Sequence, residues 1–136
     1  MRNFTLSLAL TLAATFTLTS ASLAENGPKG PNANTNWNQF SQALNVAVQH
    51  ANAGVQMGAL QQIAHYGDQL NLDDEAIFEI VRVYRSSNND NERILALMAL
   101  DATNDVWAMD FVKRSARFEK SARVLKHTQA VIRANQ

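Results

Sequence analysis

The sequence predicts an all-helical domain, and three observations indicate this fold class. From Trp37 onward, apolar residues recur three and four positions apart, which places them on one face of an α-helix. No proline follows Pro31, so nothing of that kind interrupts the helices. No stretch alternates apolar and polar residues as a half-buried strand does. We therefore expect antiparallel helical hairpins, stacked as a short α-solenoid or packed as a compact bundle.

Six helices are expected, joined by short polar turns. Their approximate ranges are 37–51, 53–66, 74–86, 90–103, a fifth that begins near residue 105, and a sixth that carries residues 122–132. Asn36, Asp73 and Asn89 precede helices and are typical N-cap residues. Gly67 follows the second helix and is expected to be its C-cap. The boundary at residues 118–121 is weak, so the pattern also allows the last two helices to be one.

The fourth helix is expected at the centre of the domain. It is apolar almost all round, and Leu97 and Leu100 are its expected central residues. In the second helix, Gly54 and Gly58 have G-x-x-x-G spacing, which in a soluble helix predicts close packing against a neighbouring hairpin.

Three large aromatic residues have two interpretations. Trp37, Trp107 and Phe111 could line a ligand groove. Because large aromatic side chains at helical spacing are more often part of a core, we expect them to be buried.

The first 24 residues have the layout of a secretory signal peptide. Arg2 supplies a positive start, an apolar stretch from Phe4 to Leu18 follows, and Ser22-Leu23-Ala24 is typical of a cleavage site. The apolar stretch is about 15 residues long, against the ~20 that a membrane-spanning helix needs, so a cleaved signal is favoured over an anchor. Cleavage is expected after Ala24.

The mature chain is expected to contain a flexible tether at residues 25–36 and a single helical domain at 37–136, with no transmembrane segment. The tether is rich in Gly, Pro and Asn and has hardly an apolar side chain. The chain has no cysteine, and no Asn-X-Ser/Thr sequon follows the predicted signal. We expect a periplasmic or secreted location, bacterial rather than eukaryotic.

One stretch resembles the HEAT-repeat family of α-solenoids. The segment Asn91–Leu100, followed by Thr103-Asn104-Asp105, is similar to the family's charged-then-Ala/Leu first helix with an Asp at the start of the second. The resemblance covers about residues 52–133 and is best over residues 91–118. The chain departs from the family pattern in the irregular loop 67–73 and in lacking a proline in the first helix. The resemblance implies stacked hairpins and a binding role, and it carries over no catalytic residue.

No catalytic, cofactor or metal site is expected. The three histidines, His50, His65 and His127, lack metal-ligand spacing, and no Cys or G-x-S-x-G motif offers a nucleophile. The carboxylate pairs Glu75/Glu79 and Asp101/Asp105 are more typical of solvated helix faces and caps than of acid catalysis.

Charge is distributed unevenly along the chain. Residues 68–110 contain ten acidic and three basic residues, whereas residues 111–136 contain seven basic and one acidic residue. A binding patch for an anionic partner would use the basic segment, and a solvated face that complements the acidic half is the alternative. The cations of this segment are Lys113, Arg114, Arg117, Lys120, Arg123 and Lys126.

The sequence therefore favours an exported, non-catalytic interaction or scaffold module. Its expected partner is a protein or an anionic envelope component. Nucleic acid is not expected, because the predicted protein leaves the cytoplasm. The alternative is a small-molecule or metal-binding helical protein, or an unrecognised enzyme, with a site between helices.

Overall fold

The computed structural model describes residues 30–136. The predicted signal peptide, its cleavage site after Ala24 and residues 25–29 of the predicted tether lie outside the described residues. The remainder of that segment contains a turn in which the backbone N–H of Thr35 donates to the carbonyl oxygen of Asn32 at 3.0 Å.

The predicted fold class is confirmed, since residues 30–136 form six α-helices and no strand. The helices are α1 (Trp37–Val48), α2 (Ala53–Tyr66), α3 (Asp74–Ser86), α4 (Asp90–Thr103), α5 (Val106–Ser115) and α6 (Ala122–Ala134). Short 3₁₀ turns follow α2 at Gly67–Gln69 and α5 at Ala116–Phe118. The last two helices are therefore separate, and the hydroxyl of Ser121 caps α6 by accepting from the backbone N–H of Val124 at 3.3 Å.

The predicted bounds of α2, α3 and α4 are confirmed, whereas the predicted end of α1 is wrong. α1 stops at Val48 rather than near residue 51. The chain leaves the helix early because the backbone N–H of His50 donates to the carbonyl oxygen of Ala47 at 3.2 Å, three residues back, and the His50 ring then accepts from the backbone N–H of Asn52 at 3.1 Å. Asn52 in turn caps α2. Its side chain accepts from the backbone N–H groups of Gly54 and Val55.

α4 lies at the centre of the domain. It packs against α2, α3, α5 and α6, while α1 packs against α2 and α3. Leu97 and Leu100 are fully buried, as predicted. α4 is not covered on every side, since the side chain of Met98 is 52% exposed. This order of contacts is compatible with both a short solenoid and a compact bundle.

Gly67 is the C-cap of α2, as predicted, but it does not adopt the left-handed conformation that is common for a glycine at a helix end. Its φ is −53° and its ψ is −34°, so it continues in helical geometry into the 3₁₀ turn. It is needed for another reason: a Cβ at this position would lie 2.6 Å from the carbonyl carbon of Ala102 in α4. A side chain at residue 67 would hold α2 and α4 apart.

The predicted close packing at Gly54 and Gly58 is also wrong. A Cβ at Gly58 meets nothing within 4 Å, and one at Gly54 meets only the side chain of Asn52, at 3.2 Å. Neither glycine lies against a neighbouring helix.

Gly67→Ala is expected to lower the free energy of unfolding by roughly 1–3 kcal/mol, because the added methyl group overpacks against backbone atoms that cannot rotate away. Gly58→Ala is the matched control. At that open helical position, alanine is expected to stabilise the protein by about 0.5–1 kcal/mol. Urea unfolding of both variants measures the difference. Equal stabilities would show that α2 and α4 do not approach closely at Gly67.

Candidate functional site

Three aromatic rings, two of them exposed and one half-buried, form a row across α3 and α5, which we call the aromatic groove. Phe78 belongs to α3, and Trp107 and Phe111 belong to α5. The ring centroids of Phe78 and Trp107 are 4.7 Å apart in a T-shaped pair, and those of Trp107 and Phe111 are 6.0 Å apart in a stacked pair. Phe78 and Trp107 are exposed, whereas Phe111 is half-buried against the core.

The expectation that Trp107 is a core residue is therefore wrong. Its side chain is 47% exposed. The backbones of α3 and α5 do not pack closely, so the indole bridges the space between them with part of its surface toward solvent. The expectation for Trp37 agrees better with the structure, because that indole is half-buried beside Phe40 and Tyr66.

Sequence reasoning missed Phe78. This residue lies next to Ile77, which is buried, and outside the apolar face of α3. A large apolar side chain on the polar face of an amphipathic helix was the available signal.

The two helices of the groove begin at the same end of it. Asp73 caps α3 by accepting from the backbone N–H of Ala76 at 2.8 Å, and Asp105 caps α5 by accepting from Ala108 at 2.7 Å. Only Asn104 and Asp105 separate α5 from α4. The turn can be this short because Asn104 adopts a left-handed conformation, with a φ of 53°.

An acidic depression of about 260 Å³ lies at this end of the groove. Ile77, Phe78 and Trp107 supply its apolar lining, and Asp74 and Asp105 supply its carboxylates. It is open to solvent, and its aromatic lining is continuous with the rest of the groove.

A second depression, of about 310 Å³, lies at the other end of the groove, and we call it the basic depression. It is lined by Phe111 and Phe118 together with Arg85, Arg114 and Arg117. The groove therefore runs from carboxylates at the first turns of its two helices to guanidinium groups at and after their last turns.

The six cations of the basic segment are all exposed. The structure brings Arg114 and Arg117 together at the basic depression, with Arg85 of α3, which the sequence pattern did not single out. Arg114 forms an ion pair with Asp110 one turn earlier in α5. Within residues 30–136, the other five cations of the segment form no ion pair: Lys113, Arg117, Lys120, Arg123 and Lys126.

Glu119, the single acid of the basic segment, points into the protein. Its side chain is 2% exposed and forms a bidentate ion pair with Arg93 of α4, which is 12% exposed. Arg93 also donates through Nε to the backbone carbonyl of Tyr84 at 2.7 Å, and Glu119 accepts from the backbone N–H of Ser121 at 2.9 Å. This pair joins α3 and α4 to the turn that precedes α6.

Burial raises the pKa of Glu119, but the hydrogen bonds from Arg93 and from the backbone N–H groups of Ser121 and Lys120 outweigh it. The pKa of this carboxyl group is therefore held below its usual value, and the carboxylate is the favoured form. Because this charge is paired with Arg93 inside the domain, Glu119 does not pair with the exposed cations of the basic segment.

The other candidate residues do not come together as a reactive site. His50, His65 and His127 are exposed, and no cluster of potential metal ligands occurs among the described residues. Glu79 pairs with Arg82, and the hydrogen bond from this guanidinium lowers the pKa of Glu79. Glu75 is exposed, and the side chain of Asp101 accepts from the amide of Asn135 at 2.8 Å.

Among residues 30–136, no helix combines the length and the apolar character that crossing a bilayer requires. Comparison of the chain with protein-family models, curated proteins and solved structures finds no match.

Proposed function

We propose that the chain is an exported, non-catalytic interaction module that holds an apolar segment of a partner protein in the aromatic groove. The observation that carries this proposal is the exposure of Trp107 between two further aromatic rings. Contiguous apolar surface of this kind on a soluble domain is typical of a binding site. Tryptophan is also among the residues that most often dominate binding energy at protein interfaces.

The charges at the two ends of the groove indicate how such a segment would lie. Asp74 and Asp105 at one end favour a cationic side chain of the partner, and Arg85 and Arg117 at the other favour an anionic one. The apolar centre contributes affinity, while the opposite charges at its ends set the direction of the bound segment.

A protein segment fits the groove better than a small molecule does. Ligand pockets bury most of their ligand in a closed concavity. Here the two depressions are open, and the aromatic row connects them along the surface. An elongated partner can contact both depressions at once.

The proposal is tested by photo-crosslinking in the cells that make the protein. A photoreactive amino acid replaces Phe78 in the groove or, as a matched control, Val46, which is an exposed apolar residue of α1 outside the groove. We expect a crosslinked protein of one discrete mass from position 78 and none from position 46. Trp107→Ala should remove the product, because loss of an interface anchor lowers affinity by about 30-fold or more.

Two results would contradict the proposal. One is the absence of a crosslinked partner at position 78. The other is a product at position 78 that also forms at position 46 or persists in the Trp107→Ala variant. Because the other half of the Trp107 side chain is buried between α3 and α5, the variant is expected to melt at a somewhat lower temperature, and a thermal melt verifies that it is still folded.

A further inference from the structure

We propose that the turn between α5 and α6 binds a membrane surface rich in anionic headgroups, with the ring of Phe118 entering the apolar interface. We call Arg117, Phe118 and Lys120, together with the neighbouring Arg123 at the start of α6, the cationic turn. This site shares Arg117 and Phe118 with the depression at the basic end of the aromatic groove but does not include Trp107. The proposal names the anionic envelope component that the basic segment contacts.

Phe118 is the apolar element of this site. It ends the 3₁₀ turn Ala116–Phe118, and its side chain is 63% exposed. The guanidinium carbon of Arg117 lies 4.9 Å from the centre of its ring. An exposed aromatic ring beside a cation is the pairing that an interfacial anchor needs, since the ring enters the acyl boundary while the cation remains among the headgroups.

The position of Glu119 determines the charge of the turn. This residue lies between Phe118 and Lys120, where an exposed carboxylate would repel an anionic surface. Arg93 instead holds the carboxylate inside the domain, where its side chain is 2% exposed. The outer surface of the turn therefore presents Arg117 and Lys120 without the acid that separates them in sequence. A carboxylate that does reach the turn is that of Asp90 in α4, which accepts from the hydroxyl of Ser121 at 2.6 Å.

The surrounding cations extend the site. Arg123 is exposed in the first turn of α6. Within the described part of the chain, Arg117, Lys120 and Arg123 form no ion pair. Cations near an anionic leaflet each add to the attraction and act together within a Debye length of the surface.

The combination of ring and cations favours a membrane over a soluble acidic partner. A soluble polyanion such as polyglutamate would be attracted by the cations alone, since it has no apolar group with which to cover Phe118. A bilayer with anionic headgroups satisfies both parts of the site, because charge and apolar volume lie next to each other at its surface.

The experiment measures partition onto vesicles of phosphatidylcholine, with and without phosphatidylglycerol, for the protein purified from the cells that make it. We expect binding only to the vesicles that contain phosphatidylglycerol. It should weaken strongly between 0.1 M and 1 M salt, as the Debye length falls from ~10 Å to ~3 Å. Phe118→Ala should reduce the partition coefficient about tenfold, because the ring no longer leaves water.

The charge of the turn is tested with Arg117→Gln/Lys120→Gln, which should abolish binding. Arg133→Gln is the matched charge control, since Arg133 is an exposed cation in the last turn of α6. Val106→Ala is the matched apolar control, since Val106 is exposed at the opposite end of α5. Both controls should bind as the unaltered protein does.

Equal partition onto vesicles with and without phosphatidylglycerol would overturn the proposal. So would binding that Phe118→Ala leaves unchanged, or binding to soluble polyglutamate as strong as that to vesicles, which would assign the turn to acidic proteins. Trp107→Ala should leave vesicle binding intact. Loss of groove crosslinking and loss of vesicle binding are therefore distinguishable results.

Discussion

Replacing Glu119 by Gln is expected to lower the free energy of unfolding by up to about 3–5 kcal/mol, because it leaves a mostly buried guanidinium with only the more distant carboxylate of Asp90, 4.0 Å away. Arg93 is 12% exposed, and Glu119 is its bidentate partner. The pair connects α4 with the turn before α6, so its loss should also loosen the packing of the last helix. Urea unfolding followed by circular dichroism measures the change.

The control is the ion pair between Arg114 and Asp110, which is largely exposed. Arg114→Gln should change the free energy of unfolding by less than about 1 kcal/mol, since exposed pairs contribute little. The double variant Arg93→Met/Glu119→Leu should recover most of the stability, because it removes both buried charges together. If Glu119→Gln were as mild as Arg114→Gln, the pair would not be a buried link between these elements.

The same pair predicts how stability depends on pH. Because the pKa of Glu119 is lower in the folded protein than in the unfolded chain, its contribution is fully present above the unfolded value. The contribution is lost as pH falls through the folded pKa, where the carboxylate becomes protonated. Glu79 has a lowered pKa too and acts in the same direction. The difference between the stability curves of the unaltered protein and of Glu119→Gln therefore isolates Glu119, and it should shrink toward acid pH.

Leu97→Ala is expected to lower the free energy of unfolding by roughly 2–5 kcal/mol, through lost burial and the cavity left behind. Leu97 is fully buried, because α4 is packed against four other helices. The matched control is its neighbour Met98, whose side chain is 52% exposed. Met98→Ala should stay within about 0.5 kcal/mol of the unaltered protein. Similar losses in the two variants would contradict the central placement of Leu97.

Local signals predicted the helices well. Asp73 and Asn89 mark the beginnings of α3 and α4 because their side chains accept backbone N–H groups that no earlier carbonyl can serve. The central position of α4 followed from its apolar composition. These features depend on residues only a few positions apart, so they can be predicted from the sequence without knowledge of the tertiary structure.

Features that depend on distant residues could not be predicted in this way. Helical spacing places Trp107 on an apolar face, but it does not show that the backbones of α3 and α5 stay apart. Glu119 and Arg93 are 26 positions apart, and only the packing of α4 beside the last turn brings them together. Gly67 is required by contact with Ala102, again a distant neighbour.

The basic segment illustrates both cases. Its exposed cations follow from the sequence, whereas the inward position of Glu119 and the addition of Arg85 to the basic depression depend on the fold. The sequence left a binding patch and a solvated face as alternatives. The exposed ring of Phe118 among these cations is what favours a patch.

The most direct test of the proposed interaction module uses the fluorescence of Trp107. In a Trp37→Phe variant, Trp107 is the single tryptophan of residues 30–136, so its emission reports on the groove alone. A synthetic copy of the partner segment recovered by crosslinking at position 78 is titrated into this variant. We predict a saturable blue shift as the segment covers the half-exposed indole, and a loss of affinity of about 30-fold on Phe78→Ala. An emission spectrum that the segment leaves unchanged, or an affinity that Phe78→Ala does not reduce, would contradict the assignment of the groove as the binding surface.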